Sequence, residues 1–244
     1  MGTPTITATA TGNGVLVSVT NLAAAATGAS GFELWRTTTE RYWQGAYARG
    51  TEGSGQLARL AVSATTNDTF TDVSPESGTS YGYFVRAIGD TMATADSATI
   101  TVTDFRLEPG VYLVAAADAV LIGAAVDTTE VFRIPPPGQS VEFVTESATH
   151  LFAGRRYPVV EFGIHDLSQL GVTVHVPYSD GANGYGTEMD LLAWERSKTT
   201  LLYRDARGVK AYGVIVGLTF TNAQWGREAE FTLQPVDYDA SVAA

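Results

Sequence analysis

The strictest constraint on this chain is the alternation that runs from Thr69 to Val102. Tyr81, Tyr83, Val85 and Ala87 fall on one side of an extended segment, and Gly82, Phe84 and Arg86 fall on the other. A period of two suits a strand; a helix would scatter those side chains around its axis. Turn chemistry brackets the segment at Ser74-Pro75-Glu76-Ser77-Gly78 and again at Gly89-Asp90. Beyond the second turn, Ala98, Ile100 and Val102 alternate with Ser97, Thr99, Thr101 and Thr103, giving one apolar and one wet face. The same period opens the chain in Thr5 to Ala10 and resumes after Gly12-Asn13-Gly14 with Val15, Val17 and Val19. Gly31 to Arg36 then puts Phe32 and Leu34 inward. Strands with one buried face need a second layer to cover it, so these residues predict a sandwich.

Residues 3 to 104 resemble an immunoglobulin-like sandwich of the fibronectin type III kind, and the likeness is closest over Thr69 to Val102. It implies an adaptor module, and it places Tyr81 as a structural corner, ring buried and hydroxyl bonded to upstream backbone. Between its strands, Tyr42, Trp43 and Tyr47 are interleaved with arginine and glycine. Such aromatics are candidate surface-recognition residues, because rings supply contact area at little entropic cost, or else they cover an open edge of the sandwich.

From Phe105 onward the pattern changes to longer strands and a proline-rich knot at Pro135-Pro136-Pro137-Gly138, so the sequence divides into residues 1–104 and 105–244. The apolar run from Val111 to Val126 reads as two buried strands around a turn at Ala117-Asp118. Thr187-Glu188-Met189-Asp190 reads as a capping box opening the one helix, near 188–197, with Met189, Leu192 and Ala193 on its buried face. A hairpin follows around Ala206-Arg207-Gly208, and a closing strand turns Ala229, Phe231 and Leu233 inward. The second half thus predicts a β-sandwich or split barrel carrying one packed helix, and the whole chain is mainly β.

Leu201 to Ile215, with its Tyr-Arg-Asp-Ala-Arg-Gly hairpin, resembles the C-terminal part of minor tail proteins of long-tailed phages that infect actinobacteria. Phe231 to Tyr238 and Gly154 to Gly163 are similar to further elements of those proteins, in the same order, so the likeness covers roughly 105 to 239. It implies a tail-tube-like or distal-tail-like fold and a structural virion role at the tail tip, baseplate or tube, with assembly in the host cytoplasm. The implied partners are further copies of the chain in a ring and other tail proteins. On that reading Arg204, Asp205, Arg207 and Gly208 at the hairpin, with Asp180 and Asn183 on a glycine-rich loop, are candidate assembly contacts. Arginine outnumbers lysine 13 to 2, as a GC-rich coding genome favours.

Chemistry finds little footing in these residues. There is no cysteine, which removes disulfides, thiolate metal sites and cysteine nucleophiles. His150, His165 and His175 lie in no His-Glu-x-x-His pattern; His165 beside Asp166 reads as a turn histidine, and His175 as an outward strand residue. The loop around Asp180 lacks the spacing of a calcium site, and there is no phosphate-binding glycine loop. The expectation is therefore a protein without catalytic residues, cofactor or metal. A formal net charge of -11, with acids in excess in both halves, argues against nucleic-acid binding. The sequence begins with neither a basic nor an apolar leader, and no run reaches the ~20 residues that cross a bilayer. The rival readings are a module that binds a host glycan or surface protein through Trp43 and its neighbours, and a cell-wall hydrolase.

Overall fold

The computed structural model describes residues 2–21, 28–38, 41–44, 47–50, 56–63, 69–122, 131–132, 139–150, 159–177, 186–224, 226–236 and 238. Of 38, 41–44, 47–50, 56–58, 121, 131–132, 139–150, 159–168 and 177 only backbone is described. Among the described residues the fold is mainly antiparallel β with one α-helix.

Two sheets pack over a shared core in the first half. One contains β1 (Ile6–Ala10), β2 (Val15–Val19), β7 (Thr69–Asp72) and β12 (Val120–Ile122) in that order. The other runs β10 (Ile100–Phe105), β8 (Thr79–Gly89), β3 (Ala29–Thr38), β6 (Gln56–Ser63), with β9 (Thr94–Asp96) paired to β8. Val15, Val17, Phe32, Leu34, Phe70, Tyr83 and Val85 are fully buried between them, as the alternation requires. A small hairpin of β4 (Arg41–Gln44) and β5 (Tyr47–Gly50) stands apart from both sheets.

The second half is a seven-stranded sheet in the order β13 (Val131–Phe132), β11 (Val111–Ala115), β16 (Leu201–Asp205), β17 (Lys210–Ala223), β18 (Gly226–Pro235), β15 (Val159–Pro177), β14 (Gln139–His150). β13 and β15 stand five places apart in that order yet lie close in space, so the sheet curls back on itself. Helix α1 (Glu188–Ser197) packs against β17 on the face lined by Leu170, Val172, Val174, Ile215, Phe231 and Leu233. Its N-terminus is the expected capping box: Thr187 accepts the Asp190 amide, and the Asp190 carboxylate accepts the Thr187 amide. The expected buried face is corrected. Leu191 is buried with Trp194 packed beside it, whereas Met189 is 67% exposed and Ala193 is exposed. Leu191 and Trp194, three residues apart, share the stripe that packs on the sheet, and Met189 falls outside it. His165 and Asp166 are likewise placed inside β15, not at a turn.

The run from Val111 does split into two strands around Ala116–Asp118, but they form no hairpin. β11 enters the seven-stranded sheet beside β16, while β12 crosses to pair with β7 in the first sandwich. The expected boundary falls at Asp104. β10 runs through it, and the first sandwich takes its fourth strand from beyond it.

Candidate functional site

The richest polar constellation lies where the two halves meet. β7 ends in Asp72, whose side chain is fully buried with that of Arg36 from β3, and the two form an ion pair at 2.7 Å. The second Asp72 oxygen accepts the amide (2.8 Å) and hydroxyl (2.6 Å) of Ser74, and Tyr83 donates its hydroxyl to the carboxylate at 3.0 Å. Burial alone would push the Asp72 carboxyl up; the Arg36 guanidinium and the Ser74 donors outweigh it and hold the carboxyl below its ordinary range. Burial, together with the neighbouring carboxylate, pushes the Tyr83 phenol well up. Tyr81 lies alongside, buried, with the Arg36 guanidinium 5.2 Å from its ring centroid. Its hydroxyl accepts the Glu76 amide at 2.7 Å, so it anchors the Ser74–Gly78 corner.

From the other side, the β16–β17 hairpin inserts Arg204. Its guanidinium is buried and donates to the carbonyls of Pro75 (3.0 Å) and Asn13 (2.9 Å), with its carbon 5.6 Å from the Tyr112 ring centroid. Burial lowers its pKa to about 10, with the Asp72 carboxylate acting in the opposite sense. Lys210, also buried, lies 5.7 Å from the Tyr212 ring centroid and adds its field to the same carboxylate. Asp205 is buried too, and one of its oxygens accepts the amides of Arg207 and Val209, which closes the turn. Gly208 takes φ +91°, and a Cβ there would sit 2.9 Å from the Ser77 carbonyl oxygen. At Gly14 a Cβ would sit 2.5 Å from the Asp72 carbonyl oxygen, so that turn also needs glycine.

The expected assembly contacts fare differently. Arg204 and Asp205 do not project; both are committed inside the chain, and at the hairpin tip Arg207 is exposed. Asp180 and Asn183 lie outside the described residues. Tyr42 and Trp43 fall on β4 and Tyr47 on β5, and the β4 backbone lies against β17 of the second sheet. Sequence reasoning missed Asp72, Arg36 and Lys210, whose partners come from distant parts of the chain.

On the face of the second sheet away from α1, a groove of about 400 Å³ is lined by Gln169, Gly171, Thr173, Thr219, Glu230 and Thr232. It opens at the bulge of β17 between Val216 and Thr219, where Gly217 takes φ +66°. Among the described residues no cluster of three histidine, aspartate or glutamate side chains could hold a metal ion. No helix of the described residues is long and apolar enough to cross a membrane. No protein-family model matches the chain, and no curated protein matches it.

Proposed function

We propose that this chain is a structural protein of a phage tail, acting by association with copies of itself and with other tail proteins rather than by catalysis. The resemblance of residues 105 to 239 to minor tail proteins motivates the proposal, with a fibronectin type III-like first module and a tail-tube-like second one. The observation that carries it is the hairpin of β14 and β15. β18 reaches β15 only from Leu170 to Pro177, so Val159–Gln169 is paired to β14 alone among the described residues. Eleven residues at about 3.3 Å each give a two-stranded arm of roughly 36 Å. A two-stranded ribbon is marginal in water, and its open edges present unpaired amide and carbonyl groups to any strand that comes alongside. A head-to-tail ring needs such an element, because each copy must offer one surface and accept another.

Electron cryo-microscopy of tails carrying this protein tests the proposal. The expected result is a closed ring of copies with β14 and β15 at the contact between neighbours. A particle in which the chain forms no ring, or its absence from the tail, would overturn it.

A further inference from the structure

We infer that the first module is a fixed bracket on the curled sheet rather than a tethered adaptor, and that Arg204 is the positioning residue that sets its angle. The inference stands independently of the tail assignment. Three separate ties cross the seam. The first is strand pairing: β12 leaves the second module to pair Val120, Leu121 and Ile122 with Asp72, Thr71 and Phe70, and Val73 donates its amide to Ala119 at 2.8 Å. The second is a clasp on the Gly12 carbonyl, which accepts the Glu108 amide at 3.1 Å and the Tyr112 hydroxyl at 3.4 Å. The third is Arg204, whose guanidinium joins two corners of the first module at once, at Asn13 and Pro75.

A guanidinium is a planar fork with donors in fixed directions, so two carbonyls from different turns fix its plane as well as its place. Rotating the first module would pull both carbonyls off the fork. The cation, which lies beside the Tyr112 ring, would then lose both of its carbonyl acceptors. Rotation would also open the apolar patch in which Val73 meets Val114, Leu202 and Tyr212. Ala206, next in the hairpin, packs against the core of the first sandwich. A partner bound by the first module is therefore presented at one distance and angle from the sheet, which a flexible linker would not do.

The cysteine-free chain makes the test direct. Spin labels at Thr9→Cys on β1 and Met189→Cys on α1, both exposed, report the separation of the modules by double electron–electron resonance on the full chain. One narrow distance peak is expected. Several peaks or a broad distribution would overturn the bracket. Amide hydrogen exchange then tests Arg204. In Arg204→Ala the seam amides of Val73, Leu107 and Glu108 should exchange about tenfold faster or more, the factor matching each ~1.4 kcal/mol of local opening, while those of α1 stay unchanged. Unchanged seam exchange, or uniform acceleration across the chain, would overturn the role of Arg204. Should Arg204→Ala fail to fold, Arg204→Lys keeps the charge without the fork, and the same two exchange patterns decide.

Discussion

Replacing Asp72 by asparagine removes one charge and almost no volume, which makes it a sharp probe of the seam. Its carboxylate sits at zero exposure against Arg36 at 2.7 Å and takes donors from Ser74 and Tyr83. Asparagine keeps one oxygen for the Ser74 amide and hydroxyl but turns an NH2 toward Arg36, so a buried guanidinium loses its counter-charge. Breaking one side of a buried pair costs about 3–5 kcal/mol. In a domain of 150–250 residues each kcal/mol lowers Tm by roughly 2–4 °C, so calorimetry on the full chain should register a fall of roughly 6–20 °C. Removing Arg36 as well, as Arg36→Met with Asp72→Asn, should leave the pair less damaged than the sum of the singles, by about 0.5–3 kcal/mol. The sign of the pH dependence follows from the depressed carboxyl. That contribution is fully present above the unfolded aspartate value of about 3.9 and is lost as pH falls through the lower folded value. The gap between wild type and Asp72→Asn should therefore close in acid and stay constant near neutrality. A cost below about 1 kcal/mol, or a gap that widens in acid, would refute the reasoning.

Tyr81→Phe takes the acceptor from the Glu76 amide at the corner, and chemical denaturation of the full chain should register a loss of about 1–3 kcal/mol. Gly208→Val forces an L side chain to φ +91° against the Ser77 carbonyl, so about 1–2 kcal/mol of backbone strain is expected before any clash is counted, read as a lowered Tm. Thr187→Ala removes the N-cap of α1 and should cost about 1 kcal/mol, measured by the same denaturation. A fragment ending at Asp104 lacks β12 and Arg204, so its amides on β7 should exchange as in an unfolded chain; protected β7 amides in that fragment would show that the first sandwich closes by itself.

Strand existence and facing were legible in the sequence wherever one face is buried and the other wet. Val15, Val17 and Val19, Phe32 and Leu34, and Ala229, Phe231 and Leu233 all lie on the sides that alternation assigned them. The helix start was legible because a capping box is local chemistry, whereas its buried face was not, because Leu191 and Trp194 pack on residues of strands far from the helix in sequence. The seam was least legible. Arg204 meets its carbonyl partners across 129 and 191 residues, and a charged hairpin reads as an outward contact when the strands leading into it are left out of account.

A signal for that cover was nonetheless present. Leu201, Leu202 and Tyr203 do not alternate with polar residues, and neither do Val111 to Val114, so both faces of those strands must be buried. β17 records the change within a single strand: Lys210 to Gly213 are buried on both sides, and from Val214 onward buried or half-buried positions alternate with more exposed ones. The helix covers one face along the sheet, so the second cover must end near Gly213. Among the described residues the layer that lies there is the first module, whose corner residues Asn13, Pro75 and Ser77 meet Arg204 and Gly208. Charges at Arg204, Asp205 and Lys210 are thus buried by position: they continue strands whose both faces were already committed, and carbonyls and a carboxylate of the first module, with the rings of Tyr112 and Tyr212 from the second sheet, stand in place of water.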